Sequence, residues 1–73
     1  MIATHQGMTI EQVLKTSLER ERQAYEFYNR LAADCSVDCV RELLLKLKNE
    51  ESKHQLMIQK MLTRLEVGKD LLS

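Results

Sequence analysis

Apolar side chains recur along this chain at steps of three and four residues. One series runs Ile10, Leu14, Ser17, Glu21, Ala24, Tyr28, Leu31; a second runs Val40, Leu44, Leu47, Glu51, His54, Ile58, Met61, Leu65. Such steps return to the same side of an α-helix, so each series is one helix face. Val13, Leu18, Tyr25, Phe27 and Ala32 widen the first face, and Glu11, Lys15, Glu19, Arg22, Glu26 and Arg30 fall opposite it. That charged side reads as solvated, with Glu11–Lys15 and Glu26–Arg30 placed to pair along the helix.

The helix ends carry their own signals. Thr9-Ile10-Glu11-Gln12 has the form of a capping box, in which the Thr hydroxyl and the Gln side chain satisfy each other's backbone amides. Asp34-Cys35-Ser36 is the turn, with Ser36 the expected cap of the second helix and Asp38 in its first turn. Gly68 fits the position just past a helix end, where a left-handed residue is wanted. The pattern predicts an all-α chain, an antiparallel two-helix hairpin in a single domain over 1–73. Residues 1–8 form a flexible arm, 10–34 helix 1, 37–67 helix 2 and 68–73 a tail.

Composition agrees and removes several classes. There is no Pro, and there are only two Gly and one Phe, which suits long helices and argues against strands. Eleven basic residues balance eleven acidic ones, so no basic field points to nucleic acid. No apolar run approaches a membrane span, and the first eight residues lack the pattern of an export signal; the expected compartment is the cytoplasm. Cys35 and Cys39 are separated by three residues, the spacing of neither a redox pair nor a zinc knuckle, and read as free thiols. Met8, Met57 and Met61 read as gap-filling apolar residues.

Two positions of the second face are out of character. Six of its eight residues are apolar, and the remaining two, Glu51 and His54, are adjacent on the face and both ligate metals. Burying an unpaired carboxylate costs several kcal/mol, and a divalent cation supplies the missing charge. Glu21 interrupts the first face in the same way. Glu21 and Glu51 each lie fifteen residues from Ser36, so in a hairpin turning there they face each other at one height.

Three ligands make half of a di-metal site, and two helices of this size bury too little to stand alone. One two-fold operation answers both. A homodimer would be a four-helix bundle holding two copies each of Glu21, Glu51 and His54, the ligand set of di-iron carboxylate bundles. Four carboxylates balance two divalent ions, and oxygen ligands with one imidazole per metal suit Fe, Mn or Zn. A bundle fixed in register by a polar layer, with a structural metal or none, is the alternative.

The stretch Glu21-x-x-Ala24-x-x-Phe27-Tyr28-x-x-Leu31-Ala32, followed by Leu43-Leu44-x-x-Leu47-x-x-Glu50-Glu51-x-x-His54, resembles the first helix pair of the rubrerythrin-like branch of the ferritin-like superfamily. A single hairpin in place of two is similar to the encapsulated ferritins, in which two subunits complete one ferroxidase centre. The resemblance implies that Glu21, Glu51 and His54 are iron ligands, with the Tyr28 phenol nearby. It also implies an encapsulin shell as a partner and an encapsulin nanocompartment as a location. The paired Cys-x-x-Cys motifs of a rubredoxin domain are missing from this sequence. The expected function is di-iron ferroxidase chemistry, a redox enzyme oxidising Fe(II) with dioxygen or peroxide at a site shared between subunits of a homodimer or higher homo-oligomer, for iron storage or protection against oxidative stress. The alternative is a non-enzymatic oligomeric helical module.

Overall fold

The computed structural model describes residues 7–72, with side chains as far as residue 68. Two helices account for most of it: α1, Ile10–Asp34, and α2, Asp38–Leu72. Residues 1–6 of the expected arm, His5 among them, and Ser73 of the expected tail lie outside the described residues.

α1 begins as its cap requires. The Thr9 hydroxyl accepts a hydrogen bond from the Gln12 amide at 3.1 Å, and the Gln12 side-chain carbonyl accepts from the Thr9 amide at 2.8 Å. Gly7, just upstream, has φ 78, a left-handed conformation that glycine adopts without steric cost. At the other end Cys35 turns extended, with its amide still donating to the Ala32 carbonyl at 3.3 Å. The outward face carries a different ion pair from the one expected. Arg22 reaches Glu26 at 2.6 Å and Glu19 through a second pair of donors, so Glu26 pairs backwards with Arg22. The guanidinium holds the Glu19 carboxyl below its ordinary range.

α2 departs from expectation at both ends. The Arg41 amide donates to the Val37 carbonyl at 2.9 Å, which makes Val37 the cap residue in place of Ser36; Asp38 still sits in the first turn. The helix does not stop at Gly68 but continues to Leu72. Glycine costs about 1 kcal/mol in a helix interior, a penalty that one residue in a 35-residue helix can absorb. From their common turn α2 is ten residues longer than α1, 35 against 25, and runs about 15 Å beyond it.

The helices pack side by side in one layer. The molecule measures 54 × 25 × 13 Å, and the short dimension is about one helix diameter. Ala32, 4 % exposed, is the one buried residue among those described. The apolar faces are covered on one side only: Leu14, Leu44, Leu47 and Ile58 are half-buried. Ile10, Leu31, Val40 and Met61, on the same two series, are 43, 40, 43 and 43 % exposed. No helix among the described residues is long and apolar enough to cross a membrane.

Two stability predictions follow from the helix ends. Thr9→Ala should cost about 1 kcal/mol in urea unfolding at fixed protein concentration. Gly68→Ala should stabilise by about 0.5–1 kcal/mol, because the position is helical and a Cβ there meets nothing within 4 Å. A left-handed glycine would give the opposite sign.

Candidate metal centre

Glu51 and His54 are one turn apart on α2, and Glu21 meets them from α1. Contacts at this level and nearer the turn mark the hairpin register. His54 Nδ1 lies 3.3 Å from Glu21 Oε2. Nearer the turn, Lys48 Nζ donates to Asn29 Oδ1 at 3.3 Å and lies 5.5 Å from the Tyr25 ring centroid. Antiparallel helices joined by a three-residue turn leave little freedom in that register, and the equal spacing of the two glutamates from Ser36 becomes a shared height.

One ligand atom from each of the three side chains lies within 4.8 Å of the others, and no other such group forms among the described residues. His54 Nδ1 is the central atom, 3.3 Å from Glu21 and 3.8 Å from Glu51. The side chains are partly sheltered, with relative exposures of 18 % for Glu51, 27 % for Glu21 and 41 % for His54. The exposure of His54 shows that the cluster opens toward one side of the layer rather than into an enclosed space. A concavity of about 500 Å³ is lined by Leu18, Arg22, Ser52, Leu56 and their neighbours and includes none of the three.

The electrostatics of the group are unbalanced. No Lys or Arg among the described residues pairs with Glu21 or Glu51; Lys53 turns away to Glu50 at 3.3 Å. Two carboxylates held this close repel each other in a partly desolvated site, and one imidazole can offset at most one of them. Two carboxylate donors and an imidazole nitrogen with open coordination positions fit a divalent transition-metal ion. Each ligand is carried on a long helix, which fixes it better than a loop can.

Tyr28 follows Glu21 by two turns on α1. It is half-buried, its ring packs against Phe27 at 5.6 Å with a 60° tilt, and it makes no hydrogen bond to the three ligands within the protomer. Cys35 and Cys39 are free thiols at the turn, far from the centre.

The rubrerythrin family profile matches residues 3–72, nearly the whole chain. The chain belongs to the rubrerythrin family. Rubrerythrins are iron-binding proteins of the ferritin-like superfamily, and the carboxylate–imidazole group of this family member is a candidate for the same role. Searches of curated proteins and of solved structures return no significant match.

Metal should stabilise this rubrerythrin-family chain measurably. At a free concentration a hundredfold above Kd a redox-quiet ion such as Mn(II) should add about 2.7 kcal/mol, read as a rise in Tm of about 10 °C or more. Glu51→Ala should abolish the rise.

Proposed function

We propose that two copies of this chain pair to complete a di-iron centre and that the paired site oxidises Fe(II), with dioxygen or peroxide as the electron acceptor. The observation that carries this is the three-donor cluster of Glu21, Glu51 and His54, open on one side and short of positive charge. Family membership supports iron as the metal. The exposed apolar residues on the same two helix faces support a second copy as what encloses it.

In this reading Glu21 and Glu51 supply oxygen donors and His54 supplies Nδ1. Iron held there contributes one-electron redox chemistry, which protein side chains alone lack. The chain's own work is positional and electrostatic. Without metal, Glu21 Oε2 can accept a hydrogen bond from a protonated His54 Nδ1 at 3.3 Å. Ligation needs the lone pair of that nitrogen, so the proton must leave Nδ1 as the cation arrives. Glu21 therefore holds the imidazole in the orientation it needs for either partner. The carboxylates favour the more highly charged oxidised ion. Biologically the reaction serves iron handling or protection from oxidants, in the cytoplasm or inside an encapsulin shell.

Aerobic titration with Fe(II) tests this directly. Ferric absorbance should develop and saturate near one iron per chain, and Glu51→Ala should reduce its rate to the uncatalysed background. Equal behaviour of the two proteins would overturn the reading.

A second reading has one observation in its favour: His54 Nδ1 and Glu21 Oε2 lie within hydrogen-bond distance of each other, at 3.3 Å. The cluster would then be a polar layer fixing the register of a helical oligomer. In that case combined replacement of Glu21, Glu51 and His54 by Ala should keep the oligomeric state and raise Tm.

A further inference from the structure

Metal binding at Glu21 and Glu51 needs both carboxylates free of other counter-charges. Three cations near them in sequence could supply one. Arg22 follows Glu21, but at about 100° per residue it faces outward, where it is tied to Glu19 and Glu26. Lys53, two residues past Glu51, points about 200° away and pairs with Glu50 at 3.3 Å. Lys48 is different. It precedes Glu51 by three residues, the spacing at which side chains on one helix face meet. A lysine there has the reach to pair with Glu51 along α2.

Its ammonium goes elsewhere. Lys48 Nζ donates to Asn29 Oδ1 at 3.3 Å and lies 5.5 Å from the centroid of the Tyr25 ring. It forms an ion pair with no carboxylate among the described residues. Both contacts cross the hairpin. Glu21, Tyr25 and Asn29 follow one another at steps of four along α1 and make a single row. The row that supplies a metal donor therefore supplies, one and two turns nearer the bend, the two groups that hold Lys48. The helix itself favours this arrangement. Side chains lean toward the N-terminus of their own helix, which for Lys48 is toward the turn and away from Glu51. His54 and Lys48 lie about 60° to either side of Glu51, so the lysine stands behind the cluster and not in its opening.

The chemistry of the two holders matters. Lys48 is half-buried, and a cation so placed gains most from a carboxylate partner. Glu51, one turn away, lacks a cation of its own, yet the lysine rests on neutral groups. An Asp or Glu in either place would hold the ammonium more firmly, but it would also add a carboxylate able to draw a metal off the cluster. An amide oxygen and an aromatic face attract an ammonium without offering a divalent ion a competing anionic ligand.

We propose that Tyr25 and Asn29 are positioning residues that hold the Lys48 ammonium off Glu51 and Glu21, and so keep both carboxylates open to a divalent cation. The proposal rests on the metal reading of the cluster. It adds the residues that set the affinity of that cluster, whatever number of copies share it.

Titration of the full chain with Mn(II) at low ionic strength, with the free ion read by electron paramagnetic resonance, tests the proposal. Asn29 is exposed and helical, and alanine suits a helix better than asparagine, so Asn29→Ala leaves the fold intact. It should weaken Mn(II) binding about twofold. Adding Tyr25→Leu should bring the loss to about three- to fivefold, the size of a partly exposed ion pair, and added salt should shrink it. Lys48→Met should restore the affinity in either variant and change the wild type less. Asn29→Asp, which keeps an acceptor for the ammonium, should bind at least as tightly as the wild type. Wild-type affinity in the Tyr25→Leu, Asn29→Ala protein would overturn the proposal. So would a loss that Lys48→Met does not reverse, because that loss would come from packing. A gain from Lys48→Met as large in the wild type as in the variants would overturn it too, since the carboxylates would already feel the ammonium. A wild-type chain that takes up no Mn(II) would overturn the metal reading itself.

Discussion

Two helices lying side by side can bury only the strip along which they touch, and this constraint governs everything else in the molecule. The layer is 13 Å thick and has one buried residue, Ala32, among those described. Hydrophobic stabilisation scales with area removed from water, and a protomer that leaves Phe27, Leu31, Leu43, Met57 and Met61 exposed removes little. The apolar faces are wider than one neighbour can cover.

The polar cluster inherits the same incompleteness. Glu51 is the most sheltered of the three donors and His54 the least, so shelter falls off toward the uncovered flank. A carboxylate pair placed in mid-seam weakens the apolar face that carries it, and a single imidazole does not neutralise it. Both deficits, of area and of charge, lie on one side of the layer. In the proposed assembly a second copy would supply the area, and a pair of divalent ions would supply the charge. The proposed assembly and the proposed chemistry are therefore linked physically, and neither is an ornament on the other.

In the proposed assembly, identical chains would share one site. A two-fold axis doubles every ligand without lengthening the sequence.

Much of this was legible in the residues. The period of three and four gave both helices, and the Thr9–Gln12 box placed the start of α1 where it is. The equal spacing of Glu21 and Glu51 from the turn anticipated the cluster, because α-helical rise is constant and a short turn allows one register. Local chemistry failed where several local solutions were close in energy. Gly68 can end a helix or be carried through one, and here it is carried. Arg22 had two carboxylates within reach and took both, displacing the expected Glu26–Arg30 pair. The sequence by itself determined the helices, their facing and the height at which the three donors meet, all of which follow from periodicity. Only the tertiary structure decided which side of each apolar face is left open, because that depends on how two cylinders share their contact strip and not on either one alone.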